Sequence, residues 1–218
     1  MKYKLVCFDL DGTLIDDTEY IWLTIYDYLG VQEEARKYAK KFRSGEITYE
    51  EWCKNDLRLL TENKMNLTDL KKISENLKVM KGANETLSEL RKKGYKLAVI
   101  SGSIETMVDI LFPNRPFDYV FINKLKFDKD GYIAGLIPTK YDEKEKATGL
   151  KKIAELEKIP LSECVFIGDN KNDIHVAKIA GLGISFNSKS VELDKVCRAV
   201  IKEKDLRLAL KYITGEEI

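Results

Sequence analysis

The sequence has a single histidine, His175, and only four cysteines, Cys7, Cys53, Cys164 and Cys197. No two of the cysteines form a C-x-x-C pair, so the ligand spacing of zinc sites and thioredoxin-type redox centres is absent. Cys7 and Cys164 lie inside apolar runs and read as buried thiols in a reducing setting. Neither sign of charge dominates. Lys+Arg 37 against Asp+Glu 36 leaves a net charge of +1, without the basic excess of a nucleic-acid binder. No run approaches the ~18 apolar residues that signal a membrane span. The opening MKYKLVCFDLDG reaches a carboxylate before a signal-peptide apolar region is complete, so the expected location is cytoplasmic. No internal repeat or low-complexity tract stands out.

What is present suits a globular protein. Hydrophobic residues make up 44% of 218 residues, enough for a proper core in one domain or one domain with an insert. Short apolar runs predict strands at Lys4–Leu10, Tyr95–Ser101, Tyr119–Asn123, Cys164–Asp169, Gly183–Phe186 and Ala199–Ile201. Between them, Ala83, Leu87 and Leu90, then Ala147, Leu150 and Ala154, then Ile174, Ala177 and Gly181 recur at helical spacing. Gly94 and Pro160 supply stops. Strands alternating with helices predict an α/β fold: a Rossmann-like parallel sheet with helices on both faces. From about Asp16 to Lys78 the alternation fails and no good strand is visible. That segment predicts a helical cap over residues 16–78, inserted into a core of residues 1–15 and 79–218. Asp130-Gly131 between alternating residues predicts a hairpin, and EKDLRLALKYITGEEI predicts a final amphipathic helix.

The chemistry is written at the strand ends, where ligands bind in an open parallel sheet. The run VCFDLDGTLID ends its strand in Asp9 and Asp11. A second strand ends in Ser101-Gly102-Ser103. A third ends in Gly168-Asp169, with Asn172 and Asp173 just beyond. Gathered at one edge, four carboxylates raise one another's pKa unless a cation joins them. Mg²⁺ suits a few carboxylate oxygens together with a substrate phosphate. Ser101-Gly102-Ser103 leads into a helix pattern, where bare amides and a hydroxyl can hold phosphate oxygens or simply cap the helix. Lys146 opens another helix against its dipole, a placement that an anion would compensate. Lys140 and Lys144 compete with it for that role.

DLDGT, SGS, a lysine about two dozen residues before the last motif, and GDNKND together resemble the haloacid dehalogenase-like hydrolase superfamily, over nearly the whole chain. The insert after the first motif, the hairpin and the closing KEKDLRLALKYI are similar to its phosphoserine phosphatase-like subgroup. The resemblance selects Lys146 among the lysines. It implies Asp9 as a nucleophile that carries an aspartyl-phosphate, and Asp11 as general acid and then base. It implies Ser101, Gly102, Lys146 and Asn172 as phosphate ligands. Mg²⁺ would be held by Asp9, the Asp11 carbonyl and Asp169, with Asp173 supporting. Dehalogenase-type members lack an acid at the Asp11 position, and the ion pumps carry a different motif tail. Asp11 therefore favours a phosphatase, with a phosphomutase as the alternative within the class and a non-turnover phospho-binding or regulatory module outside it.

The implied partner is a small phosphorylated metabolite, with no nucleic acid and no membrane; oligomeric state is not legible. The subgroup's glutamate position falls on Thr18, with Glu19 beside it, and its cap arginine has no clear match, Lys54 and Arg58 being nearby. Tyr20, Trp22, Tyr49 and Trp52 can line a pocket or pack cap against core, and burial of aromatics favours packing. His175 lies two residues past Asp173, off its helix face, and reads as structural.

Overall fold

A computed structural model describes residues 2–16 and 18–216, except the side chain of Lys144. The strands are β1 (Leu5–Phe8), β2 (Ile15–Asp16), β3 (Lys78–Val79), β4 (Lys96–Ile104), β5 (Tyr119–Phe127), β6 (Ile133–Ile137), β7 (Cys164–Gly168), β8 (Leu182–Phe186) and β9 (Ala199–Ile201). The helices are α1 (Ile21–Leu29), α2 (Gln32–Ser44), α3 (Tyr49–Glu62), α4 (Leu67–Ser74), α5 (Ala83–Lys92), α6 (Glu105–Leu111), α7 (Lys146–Glu157), α8 (Ile174–Ile179), α9 (Val191–Val196) and α10 (Leu210–Thr214). Seven strands form one sheet in the order β6-β5-β4-β1-β7-β8-β9, parallel except for β6. The strand order reverses beside β1, between β4 and β7, and this opens a crevice at their carboxyl ends.

Strand alternation builds a layer on each face. Val6 and Phe8 pack with Leu87, Leu90, Leu206 and Ile213 on one side. Leu5 and Cys7 pack with Leu150, Ile153 and Val176 on the other. β1 is buried along its whole length, which explains why it reads as a continuous apolar run rather than an alternating one.

Two details differ from the sequence reading. The 16–78 segment is not free of strand at its ends. Ile15 pairs with Val79 and Asp16 with Lys78, so an antiparallel clip closes the base of α1–α4. Two residues per strand are too few to show a period. The predicted strand ending at Ser101 instead runs to Ile104. Ile104 is β-branched and fully buried, and it packs with Met107 and the helices of the insert. The Ser-Gly-Ser segment is therefore strand backbone, and α6 starts only at Glu105. The chain's end begins as a single 3-10 turn, Leu206–Ala209, before α10. Residues 217–218 of that predicted helix lie outside the described residues. The predicted hairpin is present as β5–β6, with Gly131 at φ +84° in the turn.

Among the described residues, no helix is long and apolar enough to cross a membrane.

Candidate active site

β1 delivers Asp9 and Asp11 just past its last paired residue. Asp9 N–H donates to the Ile167 carbonyl at 2.9 Å, which extends the ladder toward β7 and fixes the Asp9 backbone. The chain then turns sharply at Gly12, φ +75°. A Cβ there would stand 2.4 Å from an Asp169 carboxylate oxygen, so the turn needs glycine for conformation and for space. β7 delivers Asp169. Its Oδ1 accepts from the Thr13 hydroxyl at 3.3 Å, which joins the two motif loops.

Lys146, the first residue of α7, is fully buried. Its Nζ lies 2.8 Å from Asp9 Oδ2 and 2.7 Å from Asp173 Oδ1. The other Asp173 oxygen accepts from the Asp169 and Asn170 amides at 3.0 and 3.1 Å. Asp173 thus orients both the lysine and the β7 loop. Burial alone would lower the Lys146 pKa, but Asp173, Asp9 and Asp142 around it hold it well above the ordinary lysine value. Burial pushes the Asp173 carboxyl up while Lys146 pulls it down. Two short contacts to one ammonium keep the group an ion pair.

Among the described residues, Asp169 makes no such ion pair. Burial raises its pKa first, and the neighbouring Asp9 and Asp173 charges raise it further. One ligand oxygen each from Asp9, Asp169 and Asp173 lie within 4.8 Å of one another. Hard oxygen donors crowded in this way fit a small divalent cation such as Mg²⁺. Both Asp173 oxygens are engaged, and on Asp9 Oδ1 accepts from Leu10 N–H at 2.8 Å while Oδ2 meets Lys146, so Asp169 Oδ2 is the least committed donor.

The Asp11 carboxylate faces a different set of partners. It accepts from Ile21 N–H at 2.9 Å and from the Ser103 hydroxyl at 3.1 Å. Burial pushes its pKa up to about 7, against the pull of those two donors and of Lys146. Ile21 N–H opens α1, so this one carboxyl also ties the insert to the sheet edge.

Ser101 is buried on β4, and its Oγ accepts from Ser103 N–H at 3.3 Å. The Gly102 carbonyl accepts from Trp22 Nε1 at 2.9 Å and from Asn123 Nδ2 at 2.6 Å. A Cβ on Gly102 would meet Asp142 at 2.1 Å. Asn172 lines the same cavity, with its buried Oδ1 unpartnered. The structure thus brings Asp9, Asp11, Ser101, Gly102, Asn172 and Asp169 to one cavity, with Lys146 and Asp173 beneath. Lys140 lines a neighbouring cleft instead, Lys144's side chain lies outside the described residues, and His175 is exposed on α8.

The far wall corrects three expectations. Tyr20, Trp22, Tyr49 and Trp52 are more than packing, since all four line the cavity. Arg58 turns away to Glu34, Glu62 and Asn55, and Lys54 faces the neighbouring cleft. Among the described residues lining the cavity, the cations are Arg36, Lys40 and Arg43, one exposed stripe of α2. Glu19, not Thr18, is on the lining.

Sequence reasoning also missed Asp142 and Asp56. Asp142 hides in the charged run YDEKEK, where it reads as surface. Asp56 carried a usable signal: with Cys53 and Leu60 it shares the buried face of α3.

The haloacid dehalogenase-like hydrolase model matches residues 3–181, and the chain belongs to that family. Among its relatives, the phosphoserine phosphatase of Methanocaldococcus jannaschii is 35% identical over 216 residues, covering 97% of this chain and 98% of the relative. That of Archaeoglobus fulgidus is 34% identical, over 94% of this chain and 59% of a longer relative. A solved substrate-bound phosphoserine phosphatase superposes with a TM-score of 0.78 at 34% identity, over 98% of this chain and 99% of that one. A solved phospho-aspartyl intermediate analogue of a phosphoserine phosphatase gives 0.76 at 33%, over 98% and 100%.

Proposed function

We propose that this chain is a Mg²⁺-dependent phosphatase that hydrolyses a small phosphate monoester through an aspartyl-phosphate on Asp9, with residues 16–78 acting as the cap. One observation carries the reading. Asp9 lies at the floor of an organic-sized cavity, against the buried Lys146, with Asp169 and the raised-pKa Asp11 beside it.

The Asp9 carboxylate attacks phosphorus, and the bond to the ester oxygen breaks. Asp11, whose pKa burial pushes up to about 7 so that a sizeable fraction is protonated at neutral pH, gives its proton to that oxygen, so an alcohol leaves rather than an alkoxide. Asp11 then takes a proton from the water that attacks the phosphoryl group. Inorganic phosphate departs and Asp9 is restored. Ser101, Gly102, Lys146 and Asn172 hold the phosphoryl oxygens. Asp9, the Asp11 carbonyl and Asp169 would hold Mg²⁺, with Asp173 fixing Lys146 and the loop. When bound, the ion supplies positive charge against the phosphate dianion and the transition state.

The relatives named for phosphoserine support a small phosphorylated substrate. The test is steady phosphate release from p-nitrophenyl phosphate. Release should require Mg²⁺ and vanish in Asp9→Asn. Undiminished turnover in that variant, or none in the native protein, contradicts the reading.

A further inference from the structure

One buried carboxylate on the cavity has no part in the phosphoryl chemistry. Asp56, on α3, is 4% exposed and lines the far wall. Its Oδ1 accepts from the Tyr26 hydroxyl at 2.7 Å. Among the described residues, no donor and no cation reaches its Oδ2. That oxygen still touches open space, unlike the unpartnered Trp52 Nε1, which is sealed off. A buried carboxylate with no counter-charge is costly, and a cation brought to it offsets that cost.

Aromatic rings line the same cavity: Tyr20, Trp22, Tyr26, Tyr49 and Trp52. Trp22 and Tyr26 stack at 6.0 Å, and Tyr49 meets Trp52 edge-on at 6.1 Å. Ring faces carry partial negative charge, so a wall of rings with a carboxylate in it favours a cation over a neutral group of the same shape. The remaining charges on the lining sort by exposure. Asp142 and Glu143 are half-buried, while Glu19, Arg36, Lys40 and Arg43 are exposed. Among the described lining residues, the enclosed charges are therefore all negative, and the positive ones all stand in water. At physiological salt, water screens exposed charges over about 8 Å, and buried charges are screened far less.

We infer that the site selects phosphate monoesters whose leaving alcohol carries an ammonium and no carboxylate, with Asp56 reading the charge; this rests on the phosphatase reading above. A neutral leaving group, ring or chain, leaves Asp56 without a counter-charge. A bound ammonium supplies one and holds the carboxyl in its ionised form. Phosphoserine carries its ammonium and its carboxylate on one carbon. Whatever brings that ammonium to Asp56 also brings a carboxylate into a negative enclosure. Arg36, Lys40 and Arg43 attract that carboxylate only through water.

The experiment compares kcat/KM, with Mg²⁺ at pH 8, for phosphoethanolamine, phosphocholine, phosphoserine and 3,3-dimethylbutyl phosphate. The last is the uncharged carbon isostere of phosphocholine, so that pair differs in charge and hardly in shape. Burial pushes the Asp56 carboxyl up to about 7, and at pH 8 it is mostly ionised. The better of the two ammonium esters should lead both phosphoserine and the isostere by about tenfold or more. Asp56→Asn keeps an oxygen for the Tyr26 hydroxyl and removes the charge. It should raise KM for the preferred ammonium ester and shrink its lead to about threefold or less. The ratios in the native protein do not depend on how that variant folds. Phosphoserine or the isostere matching the better ammonium ester overturns the inference and leaves the phosphatase reading standing. So does release from p-nitrophenyl phosphate but from neither ammonium ester. An equal loss on all four esters in Asp56→Asn also overturns it, because a structural role would act uniformly. Release from none of them, nor from p-nitrophenyl phosphate, overturns the phosphatase reading and the inference with it.

Discussion

At the carboxyl ends of the strands, carboxylates are gathered around one buried lysine; across the cavity, in α1–α3, aromatic rings line the wall and the cations are exposed. The sheet edge holds Lys146 without solvent contact because Asp9 and Asp173 both reach its ammonium. The α1–α3 wall buries Tyr26, Ala35 and Leu59 as its own small core. Its aromatic side chains line the cavity together with Arg36, Lys40 and Arg43, which are exposed. In the proposed reaction the sheet edge would move protons and hold phosphate, and the helical wall would enclose the leaving group. The two are not independent bodies. Ile21, Leu60, Leu70 and Ile73 of the insert share one apolar cluster with Ile104, Met107 and Ile133, and Trp22 and Asp11 each bridge the divide.

The largest expected effect breaks the charged side. Lys146→Ala strands Asp9 and Asp173 as buried, uncompensated carboxylates and should cost about 3–5 kcal/mol in urea unfolding. A loss under about 1 kcal/mol would mean that the charges are hydrated rather than paired.

The next effect belongs to the ring side and depends on pH. Burial pushes the Asp56 carboxyl up to about 7, further than the Tyr26 hydroxyl pulls it down. Its folded pKa therefore exceeds its unfolded one. The stabilisation is complete below about pH 4 and is lost as pH climbs through about 7. Thermal melts of the native protein should fall across that window more steeply than those of Asp56→Asn. Equal slopes would place Asp56 in water.

The smallest effect is local. Thr48 accepts from Glu51 N–H at 3.2 Å and closes a capping box at the start of α3. Thr48→Ala should cost about 1 kcal/mol by denaturant unfolding, with the preference among esters unchanged. A changed preference would mean that α3 shifts as a unit against the sheet.

The sheet edge was far more legible in the sequence than the helical wall, for physical reasons. β1 and β7 are buried on both faces, so their composition is uniformly apolar and their polar endings stand out. The motif loops allow little variation in spacing, since Gly12 must clear Asp169 and Asp173 must reach two amides. The β2–β3 clip was too short to carry a pattern. The extension of β4 was masked because Ser101-Gly102-Ser103 resembles a helix cap while Ile104 carries the strand onward. On the helical wall, what lines the cavity depends on which way a tyrosine or tryptophan faces. Apolar spacing places such a residue on a buried face, but a buried face that borders a cavity reads the same as one that borders a core. Arg36, Lys40 and Arg43 recur at i, i+4 and i+7, as any solvated helix face does.

The central claim is that Asp9 transiently carries the phosphoryl group. The most direct test is mass spectrometry of peptides from protein acid-quenched during turnover with Mg²⁺. The account predicts a phosphoryl adduct on the peptide containing Asp9, removed by hydroxylamine and absent from Asp9→Asn. An adduct on another residue, or sustained phosphate release by the Asp9→Asn protein, would contradict it.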